Sequence, residues 1–275
     1  MRVILVPVAN RPECARALKT AFDLGHRLGA SVKGCHIRPH RNSTLTLGSE
    51  FAAAAWKKKN TKSAPAAAQA LYKRVAEHHG YEVIRRPREK PGALWVERVG
   101  SPEKIMGIAG PVADLIVVSR PKRRNSVASL FLGAALTETS RPVLLLPQAG
   151  RRNVGTRVCI AWDQSAGAAR TVANAIPLLQ TADTVTIVSC GPEDRPGPKA
   201  AQLAGYLAHW GVRAQREQTR GRHVEVELMD ACQDVRADML ISGAYTHYRW
   251  YEKILGGTTE FLIHKARIPV LMQHV

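Results

Sequence analysis

The residues best suited to bind a small anion lie in the second half of the chain. Gly243 ends a short apolar run that begins at Ala237, and Gly256, Gly257 and Thr258 follow further on. Backbone N–H groups approach a phosphate closely where no Cβ intervenes, and the start of a helix adds partial positive charge. For Gly256 and Gly257 two interpretations stay open: a phosphate cradle, or a tight turn that lets a helix pack closely.

Cationic residues cluster at two places in the first half. One cluster is the run Arg120-Pro121-Lys122-Arg123-Arg124, which could neutralise phosphate groups or form an ordinary solvated loop. The other joins Trp56 to the three lysines at 57–59. Aromatic and cationic side chains combine in this way at single-stranded nucleic-acid sites, but a flap whose tryptophan covers the core would have the same composition.

Other kinds of chemistry lack the residues that they need. His78 and His79 are adjacent and so point in different directions on a helix, and neither has a histidine partner four residues away. The five cysteines are scattered without a CxxC pair, which predicts ordinary thiols in a reducing cytoplasm. Neither GxSxG nor another serine elbow is present. We therefore predict a cytoplasmic protein with no bound metal and no enzymatic activity.

The distribution of charge separates the two halves of the chain. The 275 residues carry a net charge of +18. Residues 1–150 contain 25 Lys and Arg against 10 Asp and Glu, net +15, whereas residues 151–275 contain 15 against 12, net +3. No apolar run reaches the ~20 residues of a membrane-spanning helix, and MRVILVPVAN is interpreted as a first β-strand and not as a signal peptide.

A long internal repeat organises the chain. Residues 113–119, ADLIVVS, reappear at 237–243 as ADMLISG, and each copy leads to a similar closing run, RPVLLLP at 141–147 and IPVLM at 268–272. The openings also match, with RVILVPVAN at Arg2 aligned on RVCIAWDQS at Arg157. A repeat of this length predicts two domains, 1–150 and 151–275, produced by tandem duplication.

Within each copy, short apolar runs alternate with stretches of helical period, the pattern of βαβ units around a parallel sheet. The predicted first-half elements are strands 2–8, 31–37, 93–99, 114–119 and 142–147 and helices 12–29, 64–80, 102–110 and 126–140. The predicted second-half elements are strands 157–162, 184–189, 212–216, 238–243 and 269–273 and helices 166–181, 198–210, 222–234 and 249–266. The first copy also holds about 31 extra residues, mainly at 38–63, which predict a mobile loop or a partly helical flap.

The second half resembles a universal stress protein domain, and the first half does so more loosely. The resemblance depends on residues 161–165, AWDQS, before an Ala-rich helix, on Gly221-Arg222 before a helix, and on the stretch from Gly243 to the closing strand. In the first half, Gly100-Ser101-Pro102-Glu103 is similar. The resemblance implies an α/β fold: two tandem Rossmann-like (adenine nucleotide alpha hydrolase-like) domains, each with a five-stranded parallel sheet flanked by helices.

Nucleotide-binding members of this family have a Gly-x2-Gly-x9-Gly-Ser/Thr signature, which is partly retained here. Thr246 stands at the second glycine position, where its side chain could block the phosphate. Asp163 fits an acidic position near the adenosine, although it could also be a turn or cap residue beside Ser165. The resemblance thus implies that ATP or another adenine nucleotide contacts Ala161, Asp163, Gly243, Thr246, Gly256, Gly257 and Thr258.

The first domain departs much further from that signature. Ala9 stands at the acidic position, Ser119 and Lys122 at the first two glycine positions, and Leu132-Gly133 at the later pair. With these residues the backbone cradle is lost, and we predict no nucleotide binding of the family kind in this domain.

These features predict a cytoplasmic stress-response protein that acts by binding and regulation. The two domains are expected to pair through their closing strands, 142–147 and 269–273, as an intramolecular pseudo-dimer, and whole chains could also form a homodimer. The alternative function is a module that binds an acidic partner such as nucleic acid through the basic first domain. No membrane partner is expected.

Overall fold

The computed structural model of the chain describes residues 1–38, 64–122, 126–149, 153–244 and 257–274. It divides into two compact units, Met1–Gln148 and Ala149–Val275. The predicted insertion at 38–63 lies outside the described residues except for Arg38, which ends a strand.

The sheet of the first unit contains six parallel strands in the order β3-β4-β2-β1-β5-β6. Five of them are the predicted ones, and β3 is a two-residue addition at the edge. Continuous apolar runs form these strands because a parallel sheet covered by helices is buried on both faces. The strands are β1 Val3–Pro7, β2 Ser31–Arg38, β3 Val83–Ile84, β4 Ala93–Val99, β5 Leu115–Ser119 and β6 Val143–Leu146.

Local sequence signals begin and end the helices of this unit. Pro12 opens the first helix, Gly29 ends it in a left-handed conformation (φ 59°), and Ser101 caps the third helix by accepting a hydrogen bond from the Lys104 backbone N–H. The helices are α1 Pro12–Leu28, α2 Ala64–His78, α3 Pro102–Ala109 and α4 Val127–Glu138.

The sheet of the second unit contains the five predicted strands, all parallel, in the order β11-β10-β7-β8-β9. The strands are β7 Arg157–Ala161, β8 Thr184–Cys190, β9 Ala214–Thr219, β10 Met239–Gly243 and β11 Val270–Gln273. The helices are α5 Ala166–Leu179, α6 Ala200–His209, α7 Val224–Asp234 and α8 Gly257–His264. The predicted fold is therefore confirmed in both units, and only the start of the predicted helix 249–266 lies outside the described residues.

Each unit has one position where its strand order reverses. In the first unit β1 lies between β2 and β5, and in the second β7 lies between β8 and β10. The chain leaves the carboxyl ends of these neighbouring strands in opposite directions, which opens a crevice in sheets of this kind. Both candidate sites described below lie at these reversals.

An aspartate in each repeat fixes the first strand, and it corrects the predicted alignment of the openings. Asp114 Oδ2 accepts from the Val3 N–H at 2.9 Å, as Asp238 Oδ1 does from the Arg157 N–H at 3.0 Å. The equivalent of Arg157 is therefore Val3 and not Arg2. The structural register also aligns Ala9 with Asp163, as the site prediction had assumed.

None of the helices in the described part of the chain is long and apolar enough to cross a membrane.

Candidate ligand-binding sites

A cavity of 190 Å³ lies at the carboxyl ends of β7, β8 and β10 in the second unit. Four of the predicted site residues line it, namely Ala161, Asp163, Gly243 and Thr258. Gly257, the first residue of α8, directly precedes Thr258 in the chain. Thr246 and Gly256 lie outside the described residues. The structure thus brings together residues that are almost one hundred positions apart in sequence.

Asp163 organises the turn between β7 and α5 while its carboxylate faces solvent. Its Oδ1 accepts from the Ser165 backbone N–H at 3.0 Å, and Ser165 in turn caps α5 by accepting from the Ala168 N–H at 3.1 Å. The other oxygen, Oδ2, lies 3.7 Å from Arg195, and the Asp163 side chain is 54% exposed. The turn role considered from sequence is therefore present, and Oδ2 remains accessible from the cavity.

Residues 191–199, which we call the cover segment, pack over the turn that holds Asp163. The Trp162 indole N–H donates to the Pro198 carbonyl at 2.8 Å, and Lys199 Nζ donates to Gln164 Oε1 at 3.0 Å. A Cβ on Gly197 would lie 2.0 Å from the Gln164 carbonyl oxygen, so only glycine allows this contact. The cover segment therefore forms one wall of the cavity, which reduces its volume.

Gly243 is required by packing of the protein on itself. A Cβ at this position would lie 2.9 Å from the Ala168 backbone nitrogen and 3.2 Å from its Cα. The end of β10 therefore contacts the first turn of α5 directly. This close packing explains the glycine without a ligand, although the residue also lines the cavity.

Two carboxylates of α7 accept hydrogen bonds from hydroxyl and backbone N–H groups of the kind that could otherwise bind an anionic ligand. Glu225 Oε1 accepts from the Thr258 hydroxyl at 3.0 Å, and it lies 3.2 Å from where a Cβ on Gly257 would be. Glu227 accepts hydrogen bonds from the backbone N–H groups of Gly221, Arg222 and His223 at 2.7–3.0 Å. The Thr219 hydroxyl beside it and these N–H groups lower the pKa of Glu227 to about 2.

Other residues in or beside this cavity carry no signal that the sequence prediction recognised. Glu193, Arg195 and Glu225 had no motif to mark them. One signal was available, because the run GPEDRPGPK at 191–199 directly follows β8, where loops meet ligands in open α/β sheets.

The first unit holds a larger cavity, of 430 Å³, at the equivalent reversal point. Its walls come from the ends of β1 and β5 and the first turns of α1 and α4. Ala9, Ser119 and Lys122, which the sequence places at lost signature positions, all line it. Leu132 and Gly133 instead lie inside α4, away from its first turn. The first unit therefore has an open cavity where three of the signature positions carry other residues.

Comparison with solved structures identifies the architecture. A universal stress protein from Archaeoglobus fulgidus superposes with a TM-score of 0.74 at 14% identity, covering 99% of this chain and 96% of that one. The chain has the fold of universal stress proteins. A protein of unknown function and a candidate universal stress protein, both from Pseudomonas aeruginosa, give TM-scores of 0.59 and 0.58 at 14% identity, with 100% of this chain covered and 92% and 93% of theirs.

The likeness is one of structure and not of sequence. No protein-family model and no curated protein sequence matches the chain. At 14% identity the solved structures establish the universal stress fold along the whole chain, as the sequence resemblance predicted, and they leave the ligand to be argued from the two cavities.

Within the described residues, no group of three His, Cys, Asp or Glu side chains is placed to hold a metal ion. The five cysteines are all free thiols. Burial raises the pKa of Cys14 and, to about 11, that of Cys35, so both are held as thiols at neutral pH.

Proposed function

We propose that this chain is a regulatory binding protein of the universal stress type whose second unit binds the adenosine portion of an adenine nucleotide. The observation that carries the proposal is the meeting of Ala161, Asp163, Gly243 and Thr258 around one cavity. Open α/β sheets bind ligands at such a reversal of strand order. The exposed Asp163 Oδ2 can accept hydrogen bonds from ribose hydroxyls or from an adenine amino group.

The size of the cavity favours part of a nucleotide over a whole one. Pockets that enclose drug-sized ligands measure about 300–1,000 Å³. The cavity of the second unit measures 190 Å³ and is bounded by the cover segment. A nucleoside would therefore bury only part of its surface there.

The charges around the cavity oppose the phosphates. Asp163, Glu193 and Glu225 contribute three carboxylates, against two cations, Arg195 and Lys199, whose Nζ donates to Gln164 Oε1 in the cavity wall. Glu225 already contacts Thr258, the hydroxyl residue of the predicted phosphate cradle. We therefore expect adenosine to bind at least as tightly as AMP or ATP, because each phosphate adds repulsion.

Calorimetric titration of the full chain with adenosine, AMP and ATP tests this proposal. Asp163→Ala should weaken adenosine binding by about tenfold, the equivalent of about 1.4 kcal/mol for a lost charged hydrogen bond. Asp230→Ala, which removes an exposed carboxylate of α7, serves as the matched control. Absence of adenosine binding at millimolar concentration would overturn the proposal, and much tighter binding of ATP would overturn the account of the charges.

Four further predictions from sequence remain predictions: a cytoplasmic role in the stress response, the absence of enzymatic activity, the pairing of the two domains through their closing strands, and a homodimer of whole chains. The alternative of an acidic partner is also still a prediction, because much of the basic charge lies at Lys57, Lys58, Lys59, Arg123 and Arg124, outside the described residues. Binding of a generic oligonucleotide that weakens steeply with salt would support that alternative.

A further inference from the structure

We propose that the 430 Å³ cavity of the first unit is a second ligand site, which binds a small apolar acid: a molecule with a hydrocarbon body and one anionic head group. The volume falls within the range of about 300–1,000 Å³ that is usual for small-molecule sites. The cavity also lies at the reversal of strand order in its sheet, at the ends of β1 and β5.

The body of the ligand is inferred from the walls, which are largely apolar. Two uncharged polar side chains among them are engaged with the protein: the Ser119 hydroxyl donates to the Glu13 carbonyl at 2.7 Å, and the Cys14 thiol lies 3.9 Å from the Pro7 carbonyl. Few uncharged polar groups are left for the hydroxyls of a sugar, which favours a hydrocarbon surface. The apolar side chains of the lining are Val8, Ala9, Ala17, Val118, Ala128 and Phe131.

The head group is inferred from the charges of the lining. The lining contains three cations, Arg11, Arg120 and Lys122, and one carboxylate, Glu13, whose Oε1 lies 3.4 Å from Lys122 Nζ. The lining therefore carries an excess of two positive charges. An anion entering the cavity would lower this excess.

Arg120 is the most buried of the three cations in the lining. The residue is only 7% exposed, and burial lowers the pKa of its guanidinium. A charge interaction is stronger in such a poorly solvated environment than at the surface.

One residue that differs between the repeats, Ser119 in the first and Gly243 in the second, accompanies the difference in size between the two cavities. Ser119 ends β5 where Gly243 ends β10. At Gly243 there is no room for a Cβ, because Ala168 of α5 lies against it. At Ser119 the side chain stands between the strand and α1 and is hydrogen-bonded to Glu13. The first unit thus keeps space that the second fills with its own helix.

The ligand is expected not to be a nucleotide. Ala9 stands where Asp163 stands in the second unit, so that position supplies no carboxylate for a ribose, and the one carboxylate of the lining, Glu13, lies 3.4 Å from Lys122 Nζ. This assignment is independent of the function proposed for the second unit, because the two cavities share no residue.

Calorimetric titration of the full chain with sodium octanoate and octylammonium chloride below their micellar concentrations, and with 1-octanol below its solubility limit, tests the proposal. Octanoate should bind, octanol should bind about tenfold more weakly, and octylammonium should not bind. Equal binding of octanoate and octanol would overturn the inference that the ligand has an anionic head group. Absence of octanoate binding would overturn the site.

Two kinds of variant locate the ligand. Ala128→Phe places a ring in the cavity from the half-buried first turn of α4 and should abolish octanoate binding. If that variant does not fold, Ala9→Leu fills the cavity from a loop and should weaken binding at least threefold. Ala201→Phe, on the exposed face of α6, is the control. Octanoate binding that is unchanged in a folded cavity-filling variant would contradict the proposal.

Charge variants then distinguish the contribution of the anionic head group to binding from that of the hydrocarbon body. Lys122→Gln should weaken octanoate by about threefold, a small effect because the Lys122 side chain is 66% exposed, and should leave octanol unchanged. Lys73→Gln, an exposed lysine of α2, should change neither. Asp163→Ala should retain octanoate binding, which distinguishes failure of this site from failure of the adenosine site. Equal loss of octanoate and octanol in Lys122→Gln would contradict the role of charge.

Discussion

The Glu225 carboxylate accepts a hydrogen bond from the Thr258 hydroxyl at 3.0 Å, which holds a negative charge at the residue that the sequence marks for phosphate. Replacing Glu225 by Gln removes this charge and keeps a hydrogen-bond acceptor. We expect the affinity for ATP to rise at least about fivefold relative to that for adenosine, because two charges ~4 Å apart interact by about 1 kcal/mol even in water. Calorimetric titration with both ligands measures the change.

Asp230→Asn is the control for that experiment, since it removes an exposed carboxylate from the same helix without approaching Thr258. An ATP-to-adenosine ratio that stays the same in Glu225→Gln would show that Glu225 does not oppose the phosphates.

Gly243 should tolerate no larger residue, whether or not a ligand binds. In Gly243→Ala the new Cβ meets the Ala168 backbone nitrogen at 2.9 Å, so strand and helix must separate. We expect a loss of about 1–3 kcal/mol in the free energy of unfolding, measured by urea denaturation.

Gly205→Ala provides the opposite expectation within the same unit. This glycine lies in α6, and an added Cβ meets nothing within 4 Å. The alanine should stabilise the protein by about 0.5–1 kcal/mol, because glycine is less favourable inside a helix. Destabilisation by both substitutions would mean that packing at Gly243 is not the cause.

Asp238 should be more important for stability than its counterpart Asp114. Asp238 is 3% exposed and accepts from the backbone N–H groups of Gly155, Thr156 and Arg157 at 2.8–3.0 Å. Asp114 accepts from two N–H groups, those of Arg2 and Val3, and is less buried. We expect Asp238→Asn to cost about 1.5–3 kcal/mol of unfolding free energy and Asp114→Asn to cost less. Urea denaturation of both variants checks the order, and a larger loss for Asp114→Asn would contradict it.

Glu227 should make stability depend on acidic pH. Its folded pKa of about 2 lies below the ordinary value of 4.5, so its contribution is fully present above pH 4.5 and is lost as pH falls towards 2. Urea denaturation across this range should show the stability difference between the natural protein and Glu227→Gln shrinking as pH falls. A difference that stays constant with pH would exclude this role.

The sequence alone determined the duplicated α/β architecture, because periodicity is a local property. The apolar runs at 115–118 and 239–241 are long enough only for buried strands, and the residues around them have helical period. Within the described residues, strand and helix positions inferred in this way agree with the structure to within two or three residues, apart from the two-residue β3, which is too short to carry a pattern. The turn role of Asp163 and the cap at Ser165 are local for the same reason.

Tertiary structure decided what the two candidate sites contain. Glu225 meets Thr258 only because α7 and α8 pack together, and Arg120 lines a cavity only because α1 and α4 begin beside the ends of two strands. Contacts between residues so distant in sequence have no local signature. The sequence therefore identified the nucleotide signature but not the carboxylate beside it, and it treated the first domain as having lost a site where the fold leaves the larger cavity.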